Sequence, residues 1–311
     1  MDARTARPVW LTVSVPDDAP AGVYRSCVEV TGCGVKSLEL PLELRVQERR
    51  LPRPAEWSYH LDLWQHPAAV ARVEGLDLWS DAHFEALVPY MRLLADAGQK
   101  VVTTTLNKDP WNNQCFDAYA DMIVWTKNAD GSWSYDYTVF DRWVELMTGL
   151  GIDRTINCYS MLPWNNELHY RDGSTGRFVD VTADPGTPAF EALWEPFLTD
   201  FTGHLRKKGW LGRTNIAMDE RSPEEMTDAL GLLRKTAPEL GIAMADNKNS
   251  YLNYPFINSM CVKVRDRVPP QHIAERRAQG FITTYYVCCS DRFPNMFTFS
   301  CLLYTSPSPR D

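Results

Sequence analysis

Ile216-Ala-Met-Asp-Glu-Arg-Ser-Pro-Glu-Glu225 is the stretch whose reading decides the fold of this chain. An apolar run ends there in two adjacent carboxylates, and a helix start follows at once. Ser222 suits the N-cap, Pro223 the first helical position, and Glu225 completes a capping box. Asp219 and Glu220 therefore stand where a strand hands over to a helix, which in an α/β barrel lies on the catalytic face. Acidic residues at a helix start also complement its macrodipole, so the pair needs support from the rest of the chain.

Outward from that stretch, short apolar strands alternate with amphipathic helices from Trp57 onward. Strands are expected near 58–63, 100–106, 154–160, 214–219, 242–246, 260–264 and 281–287. One helix starts at Ser80 and carries Phe84, Leu87, Val88, Met91, Leu94 and Ala95 on one face. A second starts at Thr138 with Phe140, Trp143, Val144 and Met147 inward. A third follows Thr187-Pro188, with Phe190, Leu193, Trp194, Phe197, Phe201 and Leu205 inward; a weaker one runs from about Pro270 to Gly280. Such alternation argues a parallel α/β fold. Seven strands in series predict a (β/α)8 TIM-type barrel, incomplete at its C-terminal end; the alternative, a doubly wound sheet, lacks a Gly-rich phosphate loop.

Upstream, residues 7 to 47 read as β. Leu38, Leu40, Leu42, Leu44 and Val46 alternate with Glu39, Pro41, Glu43 and Arg45, and Val9, Leu11, Val13 and Val15 alternate similarly. With a further strand near Tyr24 to Val30, these predict the remnant of a β-sandwich domain over 1–50, followed by a linker, Arg49 to Pro54, and the barrel over 51–300. The last eleven residues, 301–311, break the pattern and read as a translated sequencing-adapter end, so the chain reads as a fragment at both ends.

Composition excludes some partners. The 311 residues carry a formal charge of −8 and no long basic run, which argues against nucleic acid and anionic membrane surfaces. No stretch is long and apolar enough to span a membrane. Eight cysteines lack C-x-x-C spacing and read mostly as buried thiols, with a vicinal pair at Cys288 and Cys289. With 11 Trp, 13 Tyr and 12 Phe, flat apolar faces for stacking on sugar rings are plentiful.

Strand parity sorts the side chains. In a parallel barrel one parity faces the helices and the other the interior. Ile216 and Met218 take the helix side, so Asn215, Ala217 and Asp219 point inward, with Asp219 at the mouth and Glu220 one residue beyond. By the same parity His60, Asp62 and Trp64 point inward from the first strand, Asn157 and Tyr159 from the third, and Asn247 from the strand after Gly241. Trp111-Asn112 and Trp164 follow strands two and three and should line the mouth, with Trp125 and Trp133 as further loop aromatics; Trp143, Trp194 and Trp210 belong to the core. Polar groups converging from several strand ends are costly unless they bind something. His60, Asp62 and His66 together suggest a metal, but no further histidine stands at another strand end, and no metal or other cofactor is expected.

Two neighbouring carboxylates beside aromatic walls suit glycoside hydrolysis. Adjacent residues do not fit a pair flanking the bond from opposite sides; they fit the substrate-assisted variant, in which the sugar's own 2-acetamido oxygen attacks the anomeric carbon. The sequence also resembles glycoside hydrolase family 123, the β-N-acetylgalactosaminidases. The resemblance is carried by His60-Leu-Asp-Leu-Trp-Gln65, Ala95 to Thr105, Ile156 to Met161, Lys208-Gly-Trp210, and above all Ile216 to Arg221 and Ile282 to Ser290 through Pro294-Asn295. It implies that Asp219 orients and stabilises the acetamido group and Glu220 is the general acid/base. His60, Asp62, Trp64, Trp111, Asn112, Tyr159, Trp164, Asn247 and Tyr285 are expected to bind a glycan or glycoconjugate substrate. A periplasmic or secreted location is a further implication. The alternatives are a non-catalytic glycan-binding barrel and a hydrolase for another sugar.

Overall fold

The alternation ending at Val46 becomes one long hairpin. β1 (Gly22–Gly32) pairs antiparallel with β2 (Val35–Val46), setting Leu38, Leu40 and Leu44 opposite Val30, Val28 and Tyr24. The computed structural model describes residues 9–32, 34–246, 249–264, 266 and 268–287. It divides into two compact units, Met1–Arg53 and Pro54–Asp311. In the first unit residues 9–15 form no strand and stay exposed, so the expected sandwich remnant is a two-stranded ribbon. Alternation in residues 9–15 marks apolar side chains but supplies no partner strand, and an unpaired segment has no ladder to join.

The second unit runs α1 (Pro67–Glu74), α2 (Asp81–Asp96), β3 (Val101–Thr105), β4 (Val124–Lys127), β5 (Trp133–Asp136), α3 (Thr138–Gly149), β6 (Thr155–Tyr159), β7 (Glu167–Asp172), β8 (Phe178–Thr182), α4 (Pro188–Lys208), β9 (Thr214–Asp219), α5 (Pro223–Thr236), β10 (Gly241–Asp246), β11 (Ser259–Lys263), α6 (Pro270–Ala278) and β12 (Ile282–Tyr286). Six strands form one sheet in the order β12-β11-β10-β9-β6-β3, every neighbouring pair parallel.

This corrects the expected (β/α)8 barrel. Among the described residues the sheet is an open half-barrel with six helices, accompanied by a four-stranded sheet of two antiparallel hairpins joined through a parallel β4–β7 pair. The first predicted strand, 58–63, supplies only one parallel bridge, Leu61 to Gln99. A run of that length can alternate correctly and still not be straight enough to hydrogen-bond along its length. The adapter-like residues 301–311 and the Cys288-Cys289 pair lie outside the described residues.

A second sheet, β5-β4-β7-β8, arises from two hairpins inserted after β3 and β6, where loops are expected from the sequence. It puts Trp125 and Trp133 on strands, and Trp125 is buried against Phe197 and Trp194 rather than at the mouth. Asn107 pins the insertion: its Nδ2 donates to the His169 carbonyl and its Oδ1 accepts from the His169 N–H, both within 2.9 Å, copying a β-ladder pair. Between the two sheets and the helices lies the main core, where Trp143, Trp194, Phe140, Phe197 and Phe201 are buried as the helix periodicity predicts. Of the described cysteines, Cys158 is buried and Cys261 half-buried, while Cys27 and Cys115 are exposed.

Inside the curve of the large sheet an amide row crosses four strands. Asn157 Nδ2 donates to Asp62 Oδ2 at 3.4 Å, Asn215 Nδ2 to Asn157 Oδ1 at 2.8 Å, and Asn258 Nδ2 to Asn215 Oδ1 at 2.9 Å; Asn258 Oδ1 then accepts from the Ile242 N–H. The row passes over Gly241, whose missing side chain makes the space. A Cβ there would run into Asn215 Oδ1 and stand 2.6 Å from Asn258 Nδ2. Gly241→Ala should therefore destabilise the second unit by roughly 1–3 kcal/mol, the usual effect of overpacking. Chemical denaturation checks this, and unchanged stability would show that the row has slack.

Candidate active site

Register places the concave side chains layer by layer. Asn157 lies level with Asn215 and Gly241, and Tyr159 level with Ala217 and Ala243; Asp219 lies level with Ala245 and Cys261 one layer higher. Ala217 and Ala243 are small, which leaves room for rings: Trp111, Tyr119 and Tyr159 pack on them as a cluster separate from the main core. Trp64 joins from the first segment, its ring 4.9 Å from Trp111 and 4.8 Å from Tyr159, and remains 38% exposed. The result is an aromatic floor with one open face.

Asp219 stands on that floor at the C-terminal end of β9 and is 8% exposed. The Trp111 indole donates to its Oδ2 at 2.9 Å. Burial pushes the Asp219 carboxyl up to about 6; the Trp111 hydrogen bond opposes that rise, the Glu220 charge adds to it, and Trp164 opposes it again. Glu220 extends the ladder by one residue, its N–H donating to the Ala245 carbonyl at 3.1 Å, and Tyr286 Oη donates to its Oε1 at 2.8 Å. The helix that follows starts as its sequence predicts, with a reciprocal capping box between Ser222 and Glu225.

The mouth loops are tied to one another. The Trp164 N–H donates to the Pro110 carbonyl at 2.9 Å, joining the loops after β3 and β6. Arg221 Nη1 donates to the Trp164 carbonyl at 2.8 Å, and Nη2 reaches Asn166 Oδ1 at 2.7 Å and the Glu225 carboxylate. Trp164 thus faces Asp219 and stays 37% exposed as a residue. Asn112 is exposed on the loop after β3, where its Oδ1 accepts from Asn165 Nδ2 of the Trp164 loop at 3.4 Å.

Lower in the curve lie the other predicted residues. Asp62 closes the amide row beneath the aromatic floor; burial raises its carboxyl to about 7, against the pull of Asn157, and its Oδ1 is shut from solvent without a hydrogen-bond partner among the described residues. His60 sits deeper still. Burial, then the charges of Arg154 and Lys100 at the N-terminal ends of β6 and β3, lower it to about 4. It is placed with the bottom of the sheet rather than with Asp219. His66 turns away and bonds the Asp117 carbonyl at 2.8 Å, so it does not join His60 and Asp62. Among the described residues no group of three or more His, Cys, Asp and Glu side chains is placed to hold a metal ion.

Tyr285 is one residue out of phase: it pairs with Val262, on the helix-facing parity, whereas Tyr286 shares the concave parity with Cys261 and Asp219 and reaches Glu220. Asn247 lies outside the described residues. Sequence reasoning missed Tyr286, Arg221 and Tyr119. For Tyr286 a signal existed, since counting parity back from Thr284 selects it over Tyr285.

The model of the glycoside hydrolase 123 catalytic domain matches residues 64–308. The chain belongs to glycoside hydrolase family 123. A solved family 123 glycoside hydrolase from Clostridium perfringens, studied for glycolipid glycan hydrolysis, is 30% identical with a TM-score of 0.81. The alignment covers 92% of this chain and 53% of that one, so this chain spans about half the length of that relative. No curated protein matches it. Family 123 is a family of glycoside hydrolases; among the described residues no helix is long and apolar enough to cross a membrane.

Two outcomes follow for this family 123 chain. Replacing Trp111 with Phe removes the donor that favours ionised Asp219, so the Asp219 carboxyl should protonate at a pH above 6; carboxyl carbon NMR of labelled aspartate reads the shift, and an unmoved titration would show that the indole does not set it. Asp62 has a folded-state affinity raised above its unfolded value, so the folded form binds the extra proton between the two. Its stabilising contribution is present below about pH 4 and is lost as pH rises toward 7, on the order of a few kcal/mol. Denaturation across that window should show a smaller loss in Asp62→Asn than in the parent; parallel curves would sink the assignment.

Proposed function

We propose that this chain carries the catalytic centre of a retaining exo-β-N-acetylgalactosaminidase, with Asp219 and Glu220 as the working pair. The observation that carries the reading is a buried carboxylate of raised proton affinity, held by an indole N–H, next to a second carboxylate at the same strand end. Pairs of carboxyl groups given different environments are how glycosidases divide roles.

In this mechanism the 2-acetamido oxygen of the sugar attacks the anomeric carbon as the glycosidic C–O bond breaks. Asp219, ionised at neutral pH, accepts the acetamido N–H and stabilises the positive charge that develops on the resulting oxazolinium ring. Glu220 gives its proton to the leaving oxygen and then takes one from the water that opens the ring, so configuration is retained. Tyr286 donates to Oε1 of Glu220, and in this reading Oε2 serves the leaving group. The hydroxyl-poor face of the sugar would lie on Trp64, which packs on Trp111 and keeps 38% of its surface exposed. Trp164 closes the opposite side. By likeness to the Clostridium perfringens protein, glycolipid glycans are among the substrates the reading includes.

Asp219→Asn should lower kcat/KM by about 10²–10⁴-fold on any leaving group. Glu220→Gln should be severe on natural glycosides and mild on activated aryl glycosides, which need little protonation. Because Asp219 must be ionised, activity should fall as pH drops below about 6. Initial rates on aryl β-N-acetylgalactosaminide and its gluco epimer test this. Turnover of neither would overturn the reading in favour of a glycan-binding fold without catalysis, and full activity in Asp219→Asn would overturn the role given to Asp219.

A further inference from the structure

The inserted sheet does more than frame the mouth. Where β5 runs beside α4 lies an open groove of about 510 Å3, lined by Trp133 and Tyr135 from β5 and by Glu191, Glu195 and Asp200 from α4. This volume lies in the range of small-ligand sites. None of its lining residues belongs to the aromatic floor or the Asp219 pair.

The aromatic wall is rigid. Trp133 meets Trp125 and Tyr170 edge-on, at 81° and 85°, and the Lys127 ammonium stands 5.8 Å from its ring centre. Tyr135 packs edge-on against Trp125 and Phe197, and its hydroxyl has no hydrogen-bond partner among the described residues. A flat side chain already locked by neighbours loses little freedom when a ligand stacks on it.

The helical wall is rich in acceptors. Residues 191, 192, 195, 196 and 199 make one stripe of α4. Pro196 lies inside the helix and has no N–H, so the Ala192 carbonyl one turn earlier lacks its helical donor. That carbonyl belongs to the stripe that lines the groove. Three free carboxylates would favour a cationic guest, but two are engaged: Asp200 accepts from Tyr137 Oη at 2.8 Å, and Glu195 lies 3.8 Å from Lys235 Nζ. What remains is a stacking face opposite acceptors. That combination suits a neutral molecule with apolar ring faces and many O–H donors.

We propose that this groove is a second saccharide-binding site, separate from the catalytic mouth, which holds a neutral sugar ring of a glycan by stacking on Trp133 and hydrogen bonding to Glu191 and the Ala192 carbonyl. The choice of sugar rests on the glycosidase reading above; the groove itself does not. Such a site keeps an extended or surface-displayed substrate near the mouth between turnovers, raising its local concentration.

The test is calorimetric titration of the full chain carrying Glu220→Gln with a neutral tetrasaccharide ending in β-linked N-acetylgalactosamine. Two binding events are expected. Ala192→Arg, on an exposed helix face, should plug the groove and weaken one event at least tenfold while leaving the other in place. In the chain with Glu220 intact the same substitution should leave kcat/KM on a small aryl glycoside within twofold. Trp133→Ala should reproduce the loss if the fold survives, and Ala192→Arg decides the matter if it does not. A single event indifferent to Ala192→Arg overturns the inference, as does spermidine binding in the groove where the tetrasaccharide does not. If Ala192→Arg-sensitive sugar binding persists in a chain that hydrolyses nothing, the groove stands and the catalytic reading falls.

Discussion

The hydrogen bond from the Trp111 indole to Asp219 is the contact on which the site depends. A carboxylate taken out of water is unstable unless its charge is met by donors. Here the donor stands on a loop after β3 while the carboxylate ends β9, so the bond forms only when the two strand ends and the loop are held in register. Ala217 and Ala243 permit it, because larger side chains at those positions would occupy the space that Trp111 and Tyr159 fill. Burial and the indole act in opposite senses on Asp219, and their balance leaves a group that changes charge near neutral pH.

Much of the remaining structure serves to hold that loop. The inserted sheet is fastened to it through Asn107 and through Lys108, whose ammonium lies 2.7 Å from Glu167 and 2.8 Å from Asp180. Arg221 ties the Trp164 loop to the capping box of α5, so the residue following the carboxylate pair also braces the wall opposite it. The half-exposed Lys108 pairs contribute little to stability individually; their effect, with that of the more buried Arg221, is to select one loop geometry. The family match over residues 64–308 begins at Trp64, the ring that completes the aromatic floor.

Helix positions and the parity of the central strands were legible in the chain because each rests on a local period. Ser222 and Glu225 cap α5, Ser80 caps α2, and Thr187 caps α4 through side-chain bonds to nearby backbone N–H groups. The Asp219-Glu220 placement follows from the same local logic. Closure of the sheet was not legible. Residues 58–63 alternate like a strand and form one bridge, and residues 9–15 alternate and form none, because a strand exists only where another backbone completes its ladder. The short strands β4, β5, β7 and β8 were hidden for the converse reason: four to six residues of mixed polarity carry little periodic signal, and they gain their pairing from a hairpin and from α4 behind them.

By itself, then, the chain specified five of the six described helices, α1 being the exception, which face of β9 looks inward, and that two carboxylates end an apolar strand before a capped helix. Those are matters of nearest neighbours, read within one turn or one pleat. Only the tertiary structure decided that the sheet is a half-barrel, that Tyr286 rather than Tyr285 meets Glu220, that His60 lies with Lys100 and Arg154 instead of at the mouth, and that Asp62 ends an amide row. Each of these turns on residues tens to more than a hundred positions apart, whose meeting depends on register and on the burial that register imposes.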